Sequence, residues 1–517
     1  MADHPLHLLT EKFLKREITR RQFVKAAGAL GLSLPMLGSL VAQVSAQEGM
    51  SSAATAENVA KEKYSGQTLN VVWESGLQAQ DPLVFSGPLW TEKTGVNINV
   101  IEVGGGTELF SRQLTEHLSG TGGFDVLSAF PSWMADYVFG GVVEPLDDFI
   151  AQYGNPNDAN DITDLYKDLG KFEGKTYGLF DDGDTLVLYY RKDLFEEHGA
   201  EFAQAMGYEL APPTTWKQFE EIAKFFTEKL SPDVYGAAFG RGSGVFWNTV
   251  MFMPHFKANG GRLFDPETMD ATIAGAEGLR TIQEMAHMNR WMPPGIEQLT
   301  AIDTFQEWLA GKYAMTWFWP PLGRWSAGMA EGIEQLSFVP ESKVKGNVGY
   351  ALLPGDITQM AGGFNLCVSA DSPNKELAYL FIQWLNSPEI SLQRVTLPYA
   401  LRDPFRLSHF ASDEYRALWP EAGDYLNTLL QAGEKSSLDL LIPGAQEYSD
   451  AIDRACTAVY AGTDAQAALD TATQEFNAIT DRLGRDKQKQ AYANYLTLAG
   501  AYPSANLVDA PSNLEVE

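Results

Sequence analysis

The sequence predicts an α/β fold built on a parallel sheet, and three observations point there. Short β-branched runs recur at 69–73, 96–100 and 124–127. Helical patterns lie between them, the first closed by Gly95 and the second spanning 108–118. The connecting loops are short, so the order reads β-α-β-α-β, the signature of parallel strands with helical crossovers. A chain of 517 residues has room for two or three domains. Ligands of such sheets bind beyond the carboxyl ends of the strands. That rule selects Trp73-Glu74-Ser75, Gly104-Gly105-Gly106 and Phe130-Pro131-Ser132-Trp133 as candidate binding segments.

Composition narrows the function. Lys and Arg number 38, Asp and Glu 67, and the formal net charge is −29. Such a balance cannot neutralise phosphates, which argues against nucleic acid as a partner, and it disfavours anionic lipid. Two cysteines exclude a disulfide framework and a Cys-ligated zinc or iron–sulfur site. Cys367 and Cys456 either pair or stay buried as single thiols. G-x-S-x-G, H-E-x-x-H, Walker A and C-x-x-C are all missing, and the seven His have no ligand spacing. No catalytic, metal or cofactor motif is therefore expected. A carboxylate pair such as Asp182 and Asp184 would suit a glycosidase, but 67 acidic residues make chance pairs common.

Residues 1–46 read as an address. Six basic residues precede an apolar run from Ala26 to Val44, broken by Gly28, Gly31 and Pro35. Val44-Ser45-Ala46 supplies the small-x-small pattern of signal cleavage, placing the cut after Ala46. Within the segment, Thr19-Arg20-Arg21-Gln22-Phe23-Val24-Lys25 resembles the twin-arginine export motif, with Arg20 and Arg21 as its pair. The competing reading, an N-terminal anchor, needs a longer and less glycine-rich run. The mature chain is then exported, soluble and periplasmic. Residues 47–65 read as a flexible Ala-, Ser- and Glu-rich leader.

Farther along, ordered blocks resemble the family 1 extracellular solute-binding proteins, the sugar-binding components of ABC importers. The blocks include Phe124-Asp125-Val126, Gly140-Gly141-Val142-Val143-Glu144-Pro145-Leu146 and Tyr177-Gly178-Leu179. They continue through Leu188-Tyr189-Tyr190-Arg191-Lys192-Asp193-Leu194-Phe195 and Pro212-Pro213-Thr214-Thr215-Trp216. Gly311-Lys312-Tyr313-Ala314-Met315-Thr316-Trp317, Gly362-Gly363-Phe364-Asn365 and Ala445-Gln446-Glu447-Tyr448 complete the series. The resemblance runs over about 66–484.

It implies the two-lobe periplasmic-binding-protein fold, type II-like, each lobe a mostly parallel sheet flanked by helices and discontinuous in sequence. Carried over, the first lobe is 66–181 plus 348–400 and the second 182–347 plus 401–484. Hinges fall near 181–184 and 348–363. Residues 485–517 depart from the pattern and read as a surface tail.

Sugars need flat aromatics for their C–H faces and planar polar groups for their hydroxyls. Candidates of both kinds stand in loop positions. Trp73 and Glu74 follow the first strand, with core packing an equal reading for Trp73. Ser132 and Trp133 follow the third. Asp182 and Asp184 flank Gly183 where the resemblance places the crossing between lobes, and Asp181 reads as part of a solvated turn. Trp247 follows a glycine-rich loop. Trp317 and Trp319 share one face of an alternating strand, and the family position supplies a stacking aromatic. Gly363 and Phe364 stand at the return to the first lobe. Arg402 and Tyr448 occupy positions that reach the cleft in the family, with a surface ion pair the rival reading for Arg402.

The sequence thus implies a monomeric binding protein, not an enzyme. Its expected partners are a sugar or polyol, ABC transporter permease subunits and the twin-arginine translocase. The rivals are an exported carbohydrate-active enzyme and a binder of an anionic, non-sugar solute.

Overall fold

The computed structural model describes residues 51–242, 247–356, 358–359 and 363–500. Arg20, Arg21 and Ala46 lie outside the described residues, as do 243–246 of the glycine-rich loop and the segment 501–517. The elements that position the site begin with α1 (Ser52–Tyr64), β1 (Thr68–Glu74), β2 (Asn97–Val103), α2 (Thr107–Ser119), β3 (Val126–Ala129), α3 (Met134–Gly140) and β4 (Gly178–Phe180). Next come β5 (Val187–Arg191), β6 (Tyr235–Ala237), α4 (Trp247–Ala258), β7 (Tyr313–Phe318), β8 (Val348–Ala351), β9 (Asn365–Val368) and α5 (Lys375–Leu385). Near the end stand α6 (Ala445–Tyr460), α7 (Ala465–Leu483) and α8 (Arg485–Gly500).

The first sheet has the order β2-β1-β3-β9-β4. β1 pairs in parallel with β2, from Thr68 opposite Asn97 to Glu74 opposite Val103, and in parallel with β3. β9 is antiparallel to both its neighbours. Alternation sorts the side chains to two faces. Val71, Trp73, Val126, Leu366 and Val368 enter one core, while Val72, Leu127 and Cys367 enter the core on the other face. Gly95 ends its helix with left-handed backbone, as its position after a helical run suggests, and Gly120 ends α2 in the same way.

The second sheet has the order β8-β5-β7-β6. β5 is antiparallel to β8 and β7, while β6 and β7 are parallel. The reversed strand is the one that arrives directly from the first sheet through 181–186, with no helix to turn the chain round. Val348–Ala351 pairs with β5, so the boundary drawn at 348 comes too early, and the return to the first sheet follows this strand. A β-run cannot announce from its own residues which sheet will take it.

Both ends of the described chain correct the reading of leader and tail. Ser51 caps α1 by accepting from the Ala54 N–H, and Ala53, Ala56 and Ala60 form a buried stripe. The Gln383 amide donates to the Ser52 carbonyl, and the Trp384 indole to Glu57, which fastens α1 along α5. Alanine spacing made a helix face whose low hydropathy resembled a linker. At the other end, α8 buries Tyr492, Tyr495 and Ala499 in the largest core. The Tyr495 hydroxyl donates to the Leu438 carbonyl at 3.2 Å.

Candidate functional site

β3 ends at Ala129, and Pro131 starts a single tight turn, Pro131–Trp133, that runs into α3. The turn stands opposite the first turns of α4 and α6. Between them lies a cavity that opens to solvent. Phe130 and Ser132 form one wall. Thr249, Val250, Met253 and Leu263 form a second, and Asp439, Leu440, Ala445, Gln446, Tyr448, Ser449 and Ile452 complete it. Among the described residues the lining is thus apolar surface set with hydroxyls, one amide and one carboxylate, and it contains no Arg, Lys or His.

Several of those polar groups are already engaged. Thr249 donates to the Ser449 carbonyl at 2.7 Å, and the Tyr448 hydroxyl meets that of Thr480 at 2.9 Å. Gln446 donates to Asp450 at 2.8 Å and accepts from the Trp133 indole at 3.1 Å. The side chains of Ser132, Ser449 and Asp439 make no hydrogen bond. Burial pushes the Asp439 carboxyl up, and the Lys257 ammonium behind it pulls the other way. Beside this wall, Asp136 accepts the Gly444 N–H at 3.1 Å at the start of α6. Burial raises Asp136 to about 6, and that backbone donor opposes the rise.

A second polar cluster occupies the crossing from β4 to β5. Asp184 accepts from the Gly363 N–H at 2.9 Å, and Asp182 from the Asp403 N–H at 2.8 Å. One carboxylate oxygen from each of Asp182, Asp184 and Asp403 lies within 4.8 Å of the others. Arg324 pairs with Asp403 at 2.9 Å, and the Arg402 Nε stands 2.9 Å from Asp181. Arg394 grips Asp181 and Asp81 together. Burial holds all three clustered carboxyls above their ordinary range, and repulsion from neighbouring carboxylates adds to the rise at Asp182 and Asp184. Guanidinium groups pull against that rise at Asp182 and Asp403, and the Gly363 N–H does so at Asp184.

The candidate residues divide accordingly. Ser132 and Tyr448 line the cavity, although Tyr448 turns its hydroxyl to Thr480. Trp133 is buried and reaches the cavity wall through Gln446. Phe364 is buried too and lies against Phe130, ring centroids 4.6 Å apart. Trp247 opens α4 one turn before the lining residues and meets Trp319 edge-on at 4.9 Å. Trp319 is 8% exposed.

Trp317 is not a platform. Its ring is stacked on Phe239 at 3.8 Å and enclosed by Trp216, because its strand position faces the core. Trp73 is also core, with the Arg402 guanidinium 5.5 Å from its ring. Arg402 is fully buried among Asp181, Asp182 and Gln78, a structural strut instead of a ligand hand. Asp181, read as a solvated turn, is fully buried between Arg394 and Arg402. Glu74 lies against the Gly105 backbone, and burial lifts its carboxyl to about 7 against the pull of Arg402. Cys367 and Cys456 are both buried and free.

A family model for bacterial extracellular solute-binding proteins matches residues 70–391. The chain belongs to that family. A probable amino-acid ABC transporter periplasmic-binding protein of Sinorhizobium fredii is 24% identical over 382 residues, 72% of this chain and 78% of that one. An erythritol/L-threitol-binding protein of Mycolicibacterium smegmatis is 26% identical over 466 residues, 80% and 87% of the two chains. Among solved structures, a ribitol complex of an ABC transporter solute-binding protein from Agrobacterium radiobacter superposes with a TM-score of 0.66 at 23% identity. It covers 80% of this chain and 99% of that one.

The two-sheet α/β architecture of this solute-binding protein is shared with those structures. Its cavity also uses residues that the sequence left unmarked, namely Thr249, Met253, Leu263, Asp439 and Ser449. They come from separate helices and loops and share no motif. Phe130 and Gln446 lay within segments the sequence singled out, one after a strand and one at a helix start.

Proposed function

We propose that this solute-binding protein is the exported binding component of an ABC importer, and that its solute is a neutral carbohydrate or polyol. One observation carries the choice of solute: the cavity lining combines apolar walls with uncommitted oxygens of Ser132, Ser449 and Asp439, and offers no basic side chain. A polyol presents C–H faces and hydroxyls that match such a lining. An anionic solute, or the carboxylate of an amino acid, needs a cation. Arg241, Arg324 and Arg402 are all buried, Arg324 and Arg402 are paired with aspartates, and Lys257 stands behind Asp439 and donates to the Leu438 carbonyl. The erythritol/L-threitol relative and the ribitol-bound neighbour support the polyol reading, and the amino-acid name of another relative runs against it.

In this reading the two sheets are the centres of two lobes. The solute bridges the turn after β3 and the helices α4 and α6, and so favours the closed arrangement by its greater affinity for it. Hinge motion is absorbed near 181–184, and the closed monomer docks on the permease without chemistry on the solute. Export runs through the twin-arginine translocase to the periplasm, with cleavage after Ala46.

The test is a thermal-shift screen against erythritol, ribitol, D-mannitol, maltose, amino acids and phosphodiesters. A solute at a hundred times its dissociation constant stabilises by about 2.7 kcal/mol, a rise of a few degrees at this size. A shift with polyols or sugars, the solute recovered unchanged, is the expected result. A shift with amino acids or anions alone overturns the reading. For export, Arg20→Lys with Arg21→Lys leaves uncleaved protein in the cytoplasm, whereas normal secretion of that variant overturns the twin-arginine route.

A further inference from the structure

The polar groups of the cavity are mostly spent within the protein. Gln446 is held between Trp133 and Asp450, Thr249 by the Ser449 carbonyl, and Tyr448 by Thr480. The Asp439 carboxylate is different. It lines the cavity, is partly buried and accepts no hydrogen bond. Lys257, the cation nearest to it, donates to the Leu438 carbonyl at 2.6 Å and forms no ion pair with Asp439. Its oxygens keep access to the cavity and have no protein donor among the described residues, so a solute that fills the cavity displaces their water and has to supply donors in its place.

We propose that the Asp439 carboxylate selects the solute by accepting hydrogen bonds from two neighbouring hydroxyls of a neutral polyhydroxylated compound. The assignment rests on the polyol reading above and names the residue that enforces it. A carboxylate has two oxygens disposed to take two donors side by side, and a vicinal diol presents two. The hydroxyls of Ser132 and Ser449 remain for the rest of the solute. An anionic solute meets repulsion from Asp439, with no lining cation to offset it. An apolar solute leaves the carboxylate sealed and unpaired, which rejects it.

The test is isothermal titration of the full chain and its Asp439→Asn and Asp439→Ala variants with erythritol, ribitol and D-mannitol. Melting of the solute-free proteins is followed alongside. Asp439 makes no hydrogen bond among the described residues but attracts the Lys257 ammonium, so both variants lose that attraction and the solute-free melting temperature falls by no more than a few degrees. Both bind the polyol about tenfold or more weakly, the loss expected for a charge-assisted bond. Unchanged polyol affinity in Asp439→Asn overturns the assignment and leaves the polyol reading standing. A fall of about ten degrees or more with proportionate loss of binding marks a structural role and also overturns it. A wild-type protein that takes none of the three polyols, or takes only amino compounds, overturns the reading and the assignment together.

Discussion

The indole N–H of Trp133 donates to the side-chain carbonyl of Gln446 at 3.1 Å, fastening the turn after β3 to the start of α6. Three residues on from Trp133, Asp136 accepts the Gly444 N–H at the same helix end. Two elements built on different sheets are thus joined beside the cavity, with Phe130 and Ser132 on one side and Tyr448 and Ser449 on the other. If the solute is held where these elements meet, the link helps to hold them around it.

Gln446→Leu removes the acceptor and leaves the Trp133 N–H without a partner. The expected result is solute binding weakened about two- to tenfold, the worth of one ordinary hydrogen bond. Small-angle scattering of the solute-free variant shows a larger radius of gyration than wild type. Unchanged affinity and radius contradict the link's role.

The carboxylates at the crossing give stability a pH dependence of definite sign. Asp182, raised to about 8, Asp184 and Asp403 hold protons in the folded state that the unfolded chain releases at its ordinary carboxyl range. Their contribution is full below about pH 4 and is lost as pH rises through the folded values. Arg402 reduces the rise at Asp182 and Asp403, and Arg324 at Asp403, without cancelling either. Buried His255 and His409, lowered by burial, act in the opposite sense below about pH 6.5. Between about pH 6.5 and 8 the melting temperature therefore falls, and Asp184→Asn flattens the fall. A steeper slope in the variant contradicts this account.

Gly363 has φ near +70°, and a Cβ there would lie 2.5 Å from the Asp182 carbonyl oxygen. Gly363→Ala is expected to cost about 1–3 kcal/mol through backbone strain, with the overlap added to it. Urea unfolding of the variant checks the loss. An equal midpoint and slope contradict the crossing's close packing.

Trp317→Ala opens a hole between Phe239 and Trp216 and is expected to cost about 3–5 kcal/mol. Guanidinium unfolding measures it. A fully stable variant with weakened solute binding restores Trp317 to the role of stacking platform.

The first sheet was legible because its residues carry local signals. A β-branched run marked β1, alternation marked β2, and Gly95 stopped the helix between them. The rule that ligand sites follow strand ends singled out Ser132, which lines the cavity. Trp317 was misread because alternation identifies a shared face but not what that face meets. Arg402 and Asp181 were misread because each owes its burial to a partner more than 200 residues away. Asp439 carried no signal at all. Its significance arises only where 130–132, α4 and 439–449 come together, and no spacing encodes that meeting.

The most direct test of the central claim is a crystal structure of the full chain grown with the polyol or sugar that gives the largest thermal shift. The account predicts the solute between Ser132, Met253 and Ser449, with hydroxyls on the Asp439 carboxylate. Solute bound elsewhere, or a cavity filled only by an amino acid or an anion, contradicts it.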